Sequence, residues 1–330
     1  MTAPVRVAIT GATGQVAYAL IPRIAAGEMF GPGREVDIRL VDIPQMIDKA
    51  NGVLMELEDG AYPLLARASA TAERNVGFKD ADWVLLVGSK PRGPGMERGD
   101  LIKGNGPIFV ADGKAIGEHA GAGVRIAVIG NPCNTNCLIA RHAAGDRIPS
   151  DRWTALTRLD QNRARSLLAG KAGVHVSQVK RLAIWGNHSA TLYPDFTNAL
   201  VGGKPAGAAV DRAWLEAEFR STVQLRGAAV IAARGASSAF SAAQAILDHV
   251  RSLVTPTPAD DWFSAAVYSD GSYGIAQDIV ASLPLRSKGD GSYEIVKGVA
   301  LDAFAQGKVS ATIAELQRER ELVKDLLGTS

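Results

Sequence analysis

Residues 5–17 read VRVAITGATGQVA, and this stretch decides the fold. The run 5–10 is short, mostly apolar and rich in β-branched residues, which predicts a buried strand; a helical pattern follows over 15–26. Between them lie Gly11, Ala12, Thr13 and Gly14, and the helix opens on Gln15, Val16 and Ala17. Small residues here let the backbone approach a pyrophosphate, whose charge is favoured by exposed amides and the positive end of the helix. The spacing is G-x-x-G-x-x-A rather than the commoner G-x-G-x-x-G. A glycine-rich turn also serves simple packing, so the turn alone leaves both readings open.

Working outward, a second strand is predicted at 36–42, followed by a helix whose Met46, Ile47, Ala50, Val53, Leu54 and Leu57 recur at three- and four-residue steps. Further buried strands are predicted at 83–88 and 124–129. This alternation predicts a parallel sheet with helices on both faces. Asp42 ends the second strand, where a carboxylate can accept bonds from adenosine ribose hydroxyls and repel a 2′-phosphate. Its neighbours Ile43 and Pro44 supply no cation to offset that repulsion, so NAD is favoured over NADP. Ile129, Gly130 and Asn131 end another strand with a turn, and ligands of open parallel sheets gather at such carboxyl ends.

From about residue 153 the pattern changes. TALTRLD (154–160) reads as a strand followed by a helical segment, and a long Ala-rich helix is predicted between about 211 and 251. Strands at 262–268, 278–285 and 293–296 are separated by the turns DGSYG and KGDGSY, and an amphipathic helix over 309–327 closes the chain. The chain therefore reads as α/β: a Rossmann dinucleotide-binding domain over 1–155, then an α+β domain over 156–330. A length of 330 residues is more than one ordinary domain, so a cleft between two lobes is available.

Composition excludes several classes of function. Lys+Arg 36 against Asp+Glu 34 leaves a net charge of +2, with no electrostatic footprint for nucleic acid. No apolar run approaches the ~20 residues that span a bilayer, and the first residues lack a signal-peptide pattern, so no membrane role is expected and a soluble, cytoplasmic protein is. The only cysteines, Cys133 and Cys137, lie four apart with no second pair and no nearby histidine at zinc-ligand spacing. They are expected to be reduced and to pack.

Three segments remain that packing does not explain: PRGPGMER (91–98), RLDQNRA (158–164) and WGNHS (185–189). With the opening turn and Gly130-Asn131-Pro132, they resemble the malate and lactate dehydrogenase family, most closely its cytoplasmic-type malate branch. The similarity runs on through ELEDGAYPLL (56–65), RGASSA (234–239) and SDGSYGI (269–275); the C-terminal helix is the least distinctive part.

The resemblance implies an NAD-dependent homodimer that reversibly oxidises (S)-malate to oxaloacetate, a tricarboxylic acid cycle reaction. His188 matches the proton acceptor and donor, as suits the one side chain that titrates near neutrality without perturbation. Asp160 matches the carboxylate that fixes the imidazole's tautomer. Arg163, one helical turn beyond Asp160, can offer its planar fork to the substrate carboxylate beside the reacting carbon. Arg98 matches the residue that polarises the carbonyl, and Asn131 one that hydrogen-bonds the substrate beside the nicotinamide.

Arg92 separates the substrates. A buried cation opposite the second carboxylate of oxaloacetate gains a charge-assisted bond, whereas opposite the methyl of pyruvate it stays unpaired. The glycines and prolines at 91 and 93–95 read as a hinged loop that closes Arg92 and Arg98 over the substrate. Asn105 matches a cofactor contact. Asp112 stands where relatives usually carry Gln near the cofactor, and a carboxylate cannot donate that amide's hydrogen bond. Gln161, Cys133 and Cys137 also depart from the family pattern and are expected to alter packing more than chemistry. No metal is required, because Arg98 and His188 supply the electrophile and the proton carrier. The competing readings are a lactate or broader 2-hydroxyacid dehydrogenase, against which Arg92 argues, and an NAD-binding regulator without turnover, against which the intact set His188, Asp160, Arg163 and Arg98 argues.

Overall fold

The structure, a computed structural model, describes residues 3–91 and 96–328. Six strands run parallel: β1 (Val5–Thr10), β2 (Val36–Val41), β3 (Leu65–Thr71), β4 (Trp83–Leu86), β5 (Arg125–Val128) and β6 (Trp153–Ala155). Their order across the sheet is β3-β2-β1-β4-β5-β6, so the chain builds outward from β1 in both directions. The order reverses between β1 and β4, and the loops leaving these neighbours open a crevice there. Both faces of the sheet are covered. Val7 and Ile9 of β1 enter one core and Ala8 the other, the period-two alternation of a strand buried on both sides.

Expected and observed elements agree closely for β1, β2, β4, β5 and the helices Gln15–Ala25 and Ile47–Asp59. β3 (LARASAT) was not expected: it is a sheet edge, only partly buried, and too poor in large apolar residues to stand out.

In the second half β7 (Val179–Lys180), β8 (Ala183–Trp185), β9 (Tyr193–Asp195), β10 (Leu200–Val201) and β11 (Lys204–Pro205) form two small sheets. The strands β12 (Phe263–Tyr268), β13 (Val280–Arg286) and β14 (Glu294–Ile295) do not form a sheet of their own. They extend the parallel sheet antiparallel from β6, through the pairs Ala266↔Ala155 and Val267↔Thr154, to give nine strands.

Three expected boundaries are corrected. TALTRLD is a strand only through Ala155, and Arg158 already begins the helix Arg158–Ala172, so Asp160 lies in its first turn. The long helix expected over 211–251 is broken: Arg220–Arg234 ends at Gly235, whose φ of +70° closes the last turn with an N–H bond to Ile231, and Phe240–Val254 starts afresh. The last helix begins at Ala303, because the Asp302 carboxylate caps the Ala305 amide at 2.9 Å. Among the described residues no helix is long and apolar enough to cross a membrane.

His249 shows how tightly the two halves are joined. It is fully buried on Phe240–Val254, with Nε2 2.8 Å from the Thr154 hydroxyl of β6. That hydroxyl donates to the Ile126 carbonyl at 3.0 Å, so Nε2 carries the proton and Nδ1, which has no partner among the described residues, does not. Burial, with the Arg158 charge adding to it, lowers its pKa from 6.5 to about 3. The stabilising neutral form is fully favoured above 6.5 and its advantage is lost as pH falls towards 3. At about pH 5 this one group costs roughly 2 kcal/mol. Thermal melts of His249→Gln should accordingly lose less stability between roughly pH 7 and pH 5 than the wild type does.

Candidate active site

The glycine turn lies at the crevice between β1 and β4. Gly11 has φ +60°, and a Cβ on it would stand 2.5 Å from the Gly88 Cα. Gly88 donates its amide to the Thr10 hydroxyl at 3.1 Å, so the two loops meet backbone to backbone. Gly88 was read only as the end of a predicted strand; its role as partner of Gly11 shows only when β1 and β4 are neighbours. The Gly14 amide bonds the Gly11 carbonyl at 3.0 Å, and no side chain caps the helix that starts at Gln15. Its first-turn amides are thus available to an anion's oxygens. Ala12, Thr13 and Ala17 are buried, so Ala12 and Ala17 shape the turn rather than contact a ligand through their side chains; Gly14 and Gln15 are exposed and Val16 is half-buried.

Asp42 is tied to this turn. Its Oδ2 accepts from the Thr13 amide at 2.9 Å and hydroxyl at 2.8 Å, and its Oδ1 accepts from the Ile43 amide at 2.9 Å. A carboxylate has about four acceptor positions, so one remains for a ribose hydroxyl. The amides of Ile129 and Gly130 both bond the Leu86 carbonyl, at 2.9 and 3.0 Å, placing the end of β5 beside the same crevice. A Cβ on Gly130 would meet the Phe109 ring and the Ser89 Cβ at 2.9 Å, so this approach also requires glycine. These features fit a dinucleotide: a close backbone approach, an uncapped helix start and a carboxylate at the end of β2.

The two less regular positions are engaged within the protein. Asn105, fully buried, accepts from the Lys90 amide at 2.8 Å and donates to the carbonyls of Lys90, Leu101 and Asn131 at 3.2–3.3 Å. It clamps the chain near Lys90 to Asn131, whose side is exposed. Asp112 is buried and paired with Arg74 Nε at 2.5 Å; burial raises its pKa, against the pull of that cation. Nothing in these partners points either side chain at the turn.

The groups expected to react converge at the start of Arg158–Ala172. His188 Nδ1 lies 2.5 Å from Asp160 Oδ2, and Arg163 Nη1 lies 3.4 Å from Asp160 Oδ1. Asp160 is 1% exposed and His188 20%, so the carboxylate is enclosed while the imidazole keeps an accessible edge. Because an ionised Asp160 only accepts, Nδ1 carries the proton and Nε2 holds a lone pair. Arg163 also donates to Ser238 Oγ at 3.2 Å, the contact made by the RGASSA segment. Gln161, between them, donates to the Leu182 carbonyl at 2.8 Å and accepts from the Ser264 amide at 2.9 Å. It straps this helix to β12 and to the residue that precedes β8, a packing role that positions Asp160.

The segment 185–189 is fixed from three sides. Asn134 accepts from the His188 amide at 3.0 Å and donates to the carbonyls of Gly186 and Val280 at 3.3 and 3.0 Å. Gly186 exchanges backbone bonds with Ser282 of β13 at 3.0 and 2.8 Å. At φ +86° a Cβ there would fall 2.0 Å from Thr312 on the C-terminal helix Ala303–Leu322. Cys133 and Cys137 are free and fully buried, and burial pushes the Cys133 thiol up to about 12, so neither offers a thiolate.

That helix supplies site residues which sequence reasoning missed. Arg98 donates from Nε to Glu319 at 2.5 Å and from Nη2 to Asn187 Oδ1 at 3.2 Å. Asn187 donates in turn to Glu319 and Glu315, each at 2.8 Å. Glu315 also accepts from Thr191 at 2.7 Å and from Ser189. Burial raises the Glu315 pKa, but these donors and the Arg98 charge outweigh it and hold the carboxyl below its ordinary range. The structure thus brings together His188, Asp160 and Arg163, and through Asn187 joins them to Arg98. Arg92 and the residues at 93–95 of the expected hinged loop lie outside the described residues.

Comparison with known proteins places the fold in a family. Residues 5–150 match the lactate/malate dehydrogenase NAD binding domain, and residues 157–327 match the lactate/malate dehydrogenase alpha/beta C-terminal domain. A malate dehydrogenase of Magnetococcus marinus is 55% identical over 328 residues, 99% of each chain. The crystal structure of malate dehydrogenase from Naegleria fowleri superposes with a TM-score of 0.95 at 41% identity, covering 99% of both chains. Trichomonas vaginalis lactate dehydrogenase, solved in complex with NADH and oxamate, gives 0.93 at 33% identity over 99% of this chain and 100% of that one. On fold, crevice and sequence together, the chain belongs to the lactate/malate dehydrogenase family of NAD-binding oxidoreductases.

Proposed function

We propose that the chain reversibly oxidises (S)-malate to oxaloacetate, with His188 as the proton acceptor and donor. The observation that carries this reading is the 2.5 Å bond between His188 and the enclosed Asp160, with Arg163 on the same carboxylate. Bound NAD supplies the hydride acceptor for the reacting carbon. The substrate hydroxyl proton passes to His188 Nε2, while Asp160 holds the Nδ1 proton and stabilises the imidazolium that forms. In the reverse direction Nε2 returns the proton to the carbonyl oxygen. Arg163 holds the carboxylate next to the reacting carbon, Arg98 polarises the carbonyl, and Asn131 hydrogen-bonds the substrate.

Arg92 pairs with the distal carboxylate and sets the choice of malate over lactate. The Magnetococcus and Naegleria relatives, both malate dehydrogenases, support this choice. Gly11 to Ala17, Asp42, Asn105, Asp112 and Ile129 to Asn131 line or support the cofactor's place. For Asn105 and Asp112 that support acts through the bonds to Lys90, Asn131 and Arg74.

On this reading 1–155 bind NAD and 156–330 carry the substrate groups, and the reaction serves the tricarboxylic acid cycle in the cytoplasm. Met55, Leu225 and Ile231 leave large apolar side chains exposed on helices of both halves, which supports a homodimer, to be checked by sedimentation velocity. The experiment for the activity is steady-state NADH formation from (S)-malate and NAD. Formation of NADH is expected, and its absence at all malate concentrations would overturn the reading.

A further inference from the structure

Resting on that reading, we propose that Glu319 of the C-terminal helix is a positioning residue for the reaction: it fixes the Arg98 guanidinium in register with His188.

Polarising a developing oxyanion requires a donor already in place, because a donor that must first be ordered gives up its advantage at the moment of reaction. Arginine is a long side chain on four rotatable bonds, and Arg98 is the first residue of the helix Arg98–His119, with 30% of its side chain exposed. Nothing in its own helix fixes it. Two of its three nitrogens are instead held from outside, Nε by Glu319 and Nη2 by Asn187, so the plane of the guanidinium is set. Nη1 is left without a hydrogen-bond partner among the described residues.

The Glu319 carboxylate, 4% exposed, takes three donors. They are Arg98 Nε, Asn187 Nδ2 at 2.8 Å and the Thr135 hydroxyl. Each comes from a different part of the site: the helix after the expected substrate loop, the residue before His188, and the helix after Asn131. Asn187 has no spare donor: its two Nδ2 hydrogens serve Glu319 and Glu315 and its backbone amide bonds Thr312 Oγ1 at 2.9 Å, while its Oδ1 accepts from Arg98. Thr312, Glu315 and Glu319 follow at three- and four-residue steps and share one helix face. That face locks Arg98 and His188 to a common frame through Asn187.

Glutamine in place of Glu319 would keep an oxygen for Arg98 and Asn187, which share Oε1, and could turn its amide to the Thr135 hydroxyl, but it would remove the negative charge that holds the Arg98 guanidinium.

The test is a double-mutant cycle on kcat and KM for oxaloacetate with NADH, using Glu319→Gln, Arg98→Ala and the double variant, with NADH affinity measured by fluorescence as a check on folding. Glu319→Gln should lower kcat by about 10- to 100-fold, as misplacement of a reacting group does, with NADH affinity unchanged. Glu319→Asp, which keeps the charge but shortens the arm, should recover part of that loss; if Glu319→Gln does not fold, Glu319→Asp takes its place in the cycle. In the Arg98→Ala background the same change should cost little further, because the residue acts through Arg98. Losses that multiply across the two positions, or wild-type kcat in Glu319→Gln, would overturn the proposal. A wild-type protein inactive with every 2-oxoacid would instead overturn the functional reading beneath it.

Discussion

Replacing His188 with asparagine should lower kcat/KM for oxaloacetate by roughly 10²–10⁴-fold, the usual contribution of a positioned general acid or base. Asparagine keeps a polar group of similar reach that can still meet Asp160, and the His188 backbone amide bonds Asn134 whatever the side chain. The loss should therefore fall on the chemical step, with NADH affinity close to wild type. The nucleotide turn is built from β1, β2 and β4 and shares none of these contacts. Single-turnover kinetics separate the two effects: the rate of NADH oxidation on the enzyme falls, while the fluorescence titration with NADH does not move. If the variant oxidised NADH at the wild-type rate, the proton would have another carrier.

Exchange of Arg92 for glutamine has the second largest expected effect, and it is selective. Removing one member of a buried charge pair costs about 2–5 kcal/mol, so kcat/KM for oxaloacetate should fall by roughly 30- to 5,000-fold. With pyruvate the same change should matter little, because a methyl group offers the arginine no partner. The measurement is the ratio of the two specificity constants in the variant and the wild type. Equal losses for both substrates would mean that Arg92 does not read the distal carboxylate.

Much of this site could be read in the sequence because its parts are local. A turn between strand and helix, an acidic residue at the next strand end, and Asp160 and Arg163 three residues apart all announce themselves over a few positions. The parts that could not be read depend on contacts between distant segments. Glu315 and Glu319 sit in a run of alternating charges that looks like a solvated helix face, yet one lies half-buried and the other buried against Asn187. Gly88 explains Gly11 only once the strand order is known. By position Asp112 is a neighbour of the cofactor. Its partner Arg74, 38 residues away, accounts for a buried carboxylate that local reasoning could not. The helix break at Gly235 was not legible, because the Ala-rich helical periodicity continues on both sides of it and another glycine, Gly227, lies within the helix.

Substrate choice is decided by the oxidation of NADH by the purified wild-type protein with oxaloacetate and, separately, with pyruvate. Turnover with oxaloacetate is expected at a kcat/KM far above that with pyruvate. A preference for pyruvate would contradict it.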